Sequence, residues 1–511
     1  MNKYVLNNPI SQFFNKPNTD FTREDMIKVI EEKGIERLTF HYTALDGKLK
    51  ELKIPVANRK QAERVLADGE RVDGSSIFKG MVDVAVSDLY VIPRYQSAFL
   101  NPFDQGSLDF MCRYLNSEGE FAPFALDNIL YNANKLFRAK TDLELYALGE
   151  LEFFLIGDME NKLYPASRQR GYHSSGPFIK TGSILNEMVK HITQITGAVK
   201  YAHSEVGYIE SVHSDLEEIE GKAGEQLEIE FLPTPILDAA DNVVLGKWLI
   251  RNIAYRYGKV ATFAPKIEEG IAGNGLHFHM ELRRNGKNIM LDNEGSLSVE
   301  ARKLIGGLCV YADSLTAFGN TTSSAYLRLV PNQEAPTKVC WSNQNRSAMI
   351  RVPLGWSKRD NLAMQLNRQQ KTKFEHDGSR QTVELRSPDG SAIAHLLLAG
   401  ITLAAEYGLT NPESLEICNK MQVIGNIFKD KELLSKLTDL PTSCVGSANN
   451  IINKRQLYER ENIFPPSVIE YVAKLLREEN DEFMNQNLID LPADDRLHQT
   501  RKIMHKDLHR H

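Results

Sequence analysis

The chain has 511 residues, 42% hydrophobic and 25% charged, enough material to bury the cores of about three domains. Its net charge of −6 offers no electrostatic footprint for nucleic acid. The opening MNKYVLNNPISQFF lacks the apolar core of a signal peptide, and the most apolar run, LLLAGITLAA from Leu396, is too short to span a bilayer; the expectation is a cytoplasmic protein with no membrane partner.

Residues 1–20 read as a loose arm. Thr22 followed by Asp25 has the form of a capping box, and Met26, Val29 and Ile30 then mark an amphipathic helix that stops at Gly34. RLTFHYTALDGKLKELKIP alternates across Asp46 and Gly47 and predicts a hairpin. A helix is expected from Arg59 to Leu66 and another from Asp127 to Lys140, with a domain boundary near residue 121. Strands and helices alternate from there to about residue 400, and 410–511 is charged and mostly helical, ending in a histidine-containing tail expected to be exposed. The five cysteines are odd in number and have no paired spacing, which predicts reduced thiols rather than a disulfide framework or a zinc knuckle.

Three strand-like segments carry acids or an imidazole on one face: Glu150 and Glu152 in GELEFFLI, Glu228 in EQLEIEF, and His277 in GLHFHMEL. Side chains change face at each step of a strand, so Glu150 and Glu152 share one face while Leu151, Phe153 and Leu155 share the other. An acidic face ordinarily sits in water. Several such segments together, with an imidazole among them, point to hard divalent cations held by oxygen and nitrogen. On these residues alone a two-metal hydrolase also fits.

An ordered series of segments resembles the glutamine synthetase family: FHYTALDGKLKELKIP, DGSS at Asp73 to Ser76, GELEFFL, EGKAGEQLE, KVATFAPK, GLHFH, RLVPNQEAP, NRSAMIRVP and VELRSPD, running from about Thr22 to Leu409. The resemblance implies an α+β fold. A small β-grasp-like domain (21–120) would precede a large catalytic domain (121–511) whose curved antiparallel sheet, flanked by helices, forms a funnel for two divalent metals, Mg2+ or Mn2+. It also implies a homo-oligomer, usually a dodecamer of two hexameric rings, in which the DGSS strand of one subunit completes its neighbour's site.

Position by position, the resemblance assigns one metal site to Glu152, Glu220 and Glu228 and the other to Glu150, His277 and Glu384. Glu220 lies in an acidic run with Glu217 and Glu218, and its offset from Glu228 is what selects it. Arg346 and Arg351 match positions that meet the transferring phosphoryl of ATP, and His279 joins them at the nucleotide. Arg328 and Arg386 match the contacts to substrate carboxylate and phosphate, Gly273 lies beside them, and Glu334 matches a flap acid that excludes water. Asp73, Ser76, Tyr172 and Glu220 match the ammonium pocket. The implied reaction joins glutamate and ammonia through a γ-glutamyl phosphate.

Three positions depart from the family pattern. Ala272 stands in place of an asparagine that contacts glutamate, Glu281 in place of a serine near the nucleotide, and Thr382 in place of an arginine that touches phosphate, with Arg380 nearby. Thr438 occupies the position of a tyrosine that bacterial relatives of the main type modify with a nucleotide, so that regulation is expected to be absent. A ligase acting on a larger amine and a non-catalytic relative are the alternatives; Ala272 favours the first of these, and Asp73 and Tyr172 oppose it.

Overall fold

A computed structural model describes residues 4–82, 87–158, 163–330, 335–355, 360–376, 378–425 and 431–510. The N-terminal sheet has six strands: β1 (Arg37–Thr43), β2 (Leu49–Pro55), β3 (Glu70–Asp73), β4 (Asp88–Pro93), β5 (Phe99–Leu100) and β6 (Ser107–Leu115). Their order is β2-β1-β6-β4-β3, with β5 against β6, and β1 runs parallel to β6. The expected hairpin is β1 and β2, closed by a bond from Gly47 N–H to the Ala44 carbonyl at 2.9 Å, with Gly47 at a φ of +78°. The helix before it, Arg23–Lys33, has both halves of the Thr22–Asp25 capping box and ends on Gly34.

The second sheet has ten strands: β7 (Glu144–Gly157), β8 (Val199–Ile209), β9 (Ala223–Phe231), β10 (Thr234–Pro235), β11 (Val260–Thr262), β12 (Leu276–Arg284), β13 (Lys287–Asn288), β14 (Trp341–Asn343), β15 (Ile350–Val352) and β16 (Val383–Leu385). The order β14-β15-β16-β12-β7-β9-β8 puts β7 at the centre, and every pairing is antiparallel except β14 with β15. One face of β7 behaves as the alternation predicts. Leu151, Phe153 and Leu155 are fully buried, beneath the helices Leu126–Thr141 and Ile236–Arg256, against which packs the helix Ala394–Thr410. The latter contains the LLLAGITLAA run; it is apolar all round because it is buried all round. Among the described residues no helix is long and apolar enough to cross a membrane.

Both chain ends differ from expectation. In the arm, Asn8 caps a short helix, Pro9–Phe14, whose Ile10 is buried in the main core. At the other end the helix Ala493–His505 and the turn after it pack onto the catalytic domain, with Leu508 only 2% exposed. The tail is not an exposed appendage because its polar groups find fixed partners and its leucine an apolar cluster. All five cysteines are free and buried.

Candidate active site

Strand pairing assembles the cage. Across β7 and β12 Glu150 stands opposite His277, across β7 and β9 Glu152 stands opposite Glu228, and across β12 and β16 His279 stands opposite Glu384. Arg351 on β15 is opposite Glu384, and His203 on β8 is opposite Glu228. Directly opposed residues on one face touch, so residues from remote parts of the sequence meet in one cavity of about 680 Å³.

His277 Nδ1–H donates to Glu150 Oε2 at 2.9 Å, while its Nε2 accepts from Arg328 Nη2 at 3.2 Å. His279 reaches the other Glu150 oxygen at 2.8 Å and takes Thr382 Oγ1 at 2.9 Å on its opposite nitrogen. Glu384 is gripped by Arg351 at 2.8 Å and by Arg386 at 2.9 Å. Glu152 accepts the Gly275 N–H at 2.8 Å, which ties the loop before β12 to β7. Arg328 is buried and also donates to the Ser387 carbonyl at 3.1 Å.

Burial and crowding divide the acids of the cavity into two that resist ionisation and two that favour it. Burial, and then the charges of Glu150, Glu152, Glu205 and Glu230, push the Glu228 carboxyl well above the ordinary carboxylate range. Burial raises Glu152 too. It would also raise Glu150, but His279 and His277 pull that group well below its usual value. Burial and the Glu150 charge oppose the ionisation of Glu384, and His279, His277 and Arg386 overcome them. Three groups hold ligand atoms within 4.8 Å of one another: Glu150, His279 and Glu384; His203, Glu205 and Glu228; and Glu150, Glu228 and Glu230. Carboxylate oxygens with imidazole nitrogens are the donor set of magnesium or manganese, so these residues fit the implied ions.

The expected ligand set needs one correction. Glu220 does not line this cavity: it sits in the turn between β8 and β9 with its side chain half exposed, 3.8 Å from His213, and bonds the Ser214 N–H. Glu205 lines the cavity instead, 3.7 Å from His203 and on the same face of β8. The offset from Glu228 led to an acid outside the cavity because residues 210–222 form a long connection between β8 and β9. The A-H-S-E alternation, with His203 and Glu205 two apart, is the signal that marks the acid that does line the cavity. Glu230, buried and paired with Lys200 at 2.6 Å, is another acid of the cavity that the motifs did not single out.

Tyr172, Gly273, Arg328, Arg346, Arg351 and Arg386 all line the cavity, as do Ala272 and Arg380. Glu281 lines it as well; it is 3% exposed and held by Arg283 at 2.5 Å and Asn288 at 2.7 Å. Tyr172 packs edge-on against His203 with ring centroids 5.3 Å apart. Asp73 and Ser76 do not line the cavity of their own chain. They lie exposed at the end of β3, where Ser76 and then Ser75 hold the Asp73 carboxyl down at about 2. Glu334 lies outside the described residues.

The glutamine synthetase catalytic-domain model matches residues 128–488, and the glutamine synthetase β-grasp-domain model matches residues 34–117. The chain belongs to the glutamine synthetase family. A glutamine synthetase of Clostridium saccharobutylicum is 30% identical over 441 residues, covering 84% of this chain and 89% of that protein. One from Halobacterium salinarum is 31% identical over 390 residues, covering 74% and 76%. Among solved structures, Plasmodium falciparum glutamine synthetase superposes with a TM-score of 0.71 at 22% identity, over 93% of this chain and 98% of that one. A GmaS/ADP complex superposes with a TM-score of 0.68 at 19% identity, over 92% and 98%. The family's β-grasp and catalytic sheets are the two sheets described above, and the chain is a divergent, ligase-type member of a glutamine synthetase family that uses ATP and divalent metals.

Proposed function

We propose that the protein forms glutamine from glutamate and ammonia, using ATP, through a γ-glutamyl phosphate. The observation that carries this reading is one cavity in which a carboxylate and imidazole cage adjoins the guanidinium groups of Arg328, Arg351 and Arg386. A carboxylate is a poor electrophile, because resonance and negative charge both repel an amine. Transfer of the γ-phosphoryl of ATP removes that obstacle, and such transfer is catalysed chiefly by positioning and by cationic stabilisation. Bound magnesium or manganese would neutralise the cage and attract phosphate oxygens.

Glu152, Glu205 and Glu228 form one half of the cage, and Glu150, His277 and Glu384 the other. Arg346 and Arg351 face the phosphoryl group and Arg328 and Arg386 the acid, with His279 beside the nucleotide and Gly273 on the wall by the acid, where a side chain would collide with the Pro265 carbonyl and crowd Arg328. Asp73 and Ser76 of a neighbouring copy join Tyr172 to form the ammonium pocket, which makes the active form a homo-oligomer, a dodecamer of two hexameric rings in the cytoplasm. Hydrogen bonds from Ser76 and Ser75 keep Asp73 ionised, as holding a cation requires. Glu334 closes the site against water.

A second reading, ligation of glutamate to a larger amine, is favoured by Ala272, whose methyl group leaves the cavity wall open where a longer side chain would fill it. ADP release with glutamate plus ammonium, hydroxylamine or a panel of organic amines, with magnesium and with manganese, tests both. Turnover with ammonium supports the first reading, and acceleration by an organic amine alone supports the second. Absence of ATP binding would overturn both in favour of a non-catalytic relative.

A further inference from the structure

The loop 264–275 carries Ala272 and Gly273 to the cavity and donates its Gly275 N–H to Glu152. Its far side is held by the C-terminal segment. Arg501 pairs with Glu268 at 3.1 Å, and His505, 4% exposed, reaches the Ile267 carbonyl at 2.9 Å through Nε2. Because Nε2–H donates to that carbonyl, Nδ1 of the neutral ring accepts from Ser214 Oγ at 2.9 Å, and burial holds the ring's pKa down in keeping with that form. Just upstream of the loop, Thr262 Oγ1 donates to the Leu508 carbonyl at 2.9 Å.

Apolar packing follows the same line. Leu508 joins Phe154, Ile209, Val212, Ile267 and Ile271 in a cluster separate from the main core, and Phe154 stands on the same face of β7 as Glu150 and Glu152, further along the strand. The acidic turn between β8 and β9 closes the arrangement, with Glu218 on His509 at 2.6 Å and Asp215 on His498 at 3.5 Å. One helix therefore bonds both the loop that walls the cavity and the connection that follows the Glu205 strand.

We propose that the helix Ala493–His505 and the turn after it are a positioning clamp for the acid-substrate end of the cavity, with Arg501 and His505 acting through the 264–275 backbone. This rests on the ligase reading only for which substrate is affected. Neither residue lines the cavity, so both are positioning residues. A wall displaced by a fraction of an ångström misplaces the acid relative to the phosphoryl donor while leaving the nucleotide's own contacts alone.

His505→Ala and Arg501→Ala in the full chain test the clamp by two readouts. Backbone amide exchange across 264–275 should accelerate about tenfold, as loss of a buried bond would produce, with β12 and the N-terminal sheet unchanged. KM for the acid should rise about tenfold while KM for ATP stays within error, and His505→Gln, which keeps a donor for the Ile267 carbonyl, should restore both values. Unchanged exchange at 264–275, acceleration throughout the molecule, or parallel rises in both KM values would overturn the proposal. Exchange needs no turnover, so it decides the clamp even where the ligase reading fails. Should the helix variants not fold, Glu268→Ala removes the Arg501 link from the loop side, with the same exchange pattern expected and the same results overturning it.

Discussion

Glu152 and Glu228 face each other across β7 and β9, whereas Glu218 and Glu220 lie in the turn just before β9 and meet histidines on the protein surface. Both places combine acids with imidazoles. In the first, the sheet buries the carboxylates and aims several of them at one point, so their charges raise one another's cost of ionisation, a cost that a bound cation would lower. In the second, each acid has its own partner in high-dielectric surroundings, and nothing accumulates. Composition is the same in the two regions; burial and convergence separate a candidate metal cage from a surface ion-pair seam.

The largest test of this contrast is removal of a cage acid. Glu150→Gln or Glu228→Gln should lower turnover by about a thousandfold or more, measured as ADP release, because the charge stabilisation of phosphoryl transfer depends on what the cage holds. The same Glu228→Gln change should leave the melting temperature of the metal-free protein unchanged or higher, since burial and the neighbouring acids already disfavour the charged form that Gln lacks. A fall of several degrees would mean the cage supports the fold rather than opposing it.

Glu205 and Glu220 provide a sharper comparison. Glu205→Gln should cost about a hundredfold in turnover and raise the metal concentration needed for half-maximal rate, whereas Glu220→Gln should change neither by more than about twofold. A reversal of the two would return Glu220 to the site. Addition of magnesium should raise the melting temperature of the native chain, and Glu205→Gln should blunt that rise by lowering affinity for the ion.

Smaller effects are expected on the clamp side. Burial would raise the Glu479 carboxyl, but hydrogen bonds from Lys506, Ser323 and Arg510, with the Lys506 charge, hold it at about 2, below its ordinary 4.5. A depressed carboxylate stabilises the fold fully above its unfolded value, and that contribution is lost as pH falls. Protease cleavage of the C-terminal helix should therefore increase between pH 4.5 and about 2, and Glu479→Gln should remove most of that pH dependence. Smallest of all, Glu218→Gln breaks an exposed pair with His509 and should shift stability by less than about 1 kcal/mol in a denaturant melt.

Residues whose spacing matches a local period were legible before the fold. The Thr22 cap, the Asp46 and Gly47 hairpin, and the shared face of Glu150 and Glu152 all depend on neighbours within a few positions. Glu205 was not, because residues 210–222 place a decoy acid at the offset the family pattern expects, and an offset carries no information about which strand holds a residue. The C-terminal region was legible as mostly helical, but the docking of its last helix was not. Its partners, Glu268, Ile267, Ser214 and Thr262, lie more than 200 residues away, and nothing local marks His505 as buried rather than exposed.

Alternation and the ordered motifs alone determined the family, the two-sheet fold and the acids that point away from the core of β7, since side-chain direction on a strand is set by chain geometry. Tertiary structure decided which acids share a cavity, which histidine nitrogen faces which carboxylate, and that the C-terminal helix bonds the loop lining that cavity. Those are contacts between remote segments, fixed by strand register and burial, and neither is encoded within any one segment.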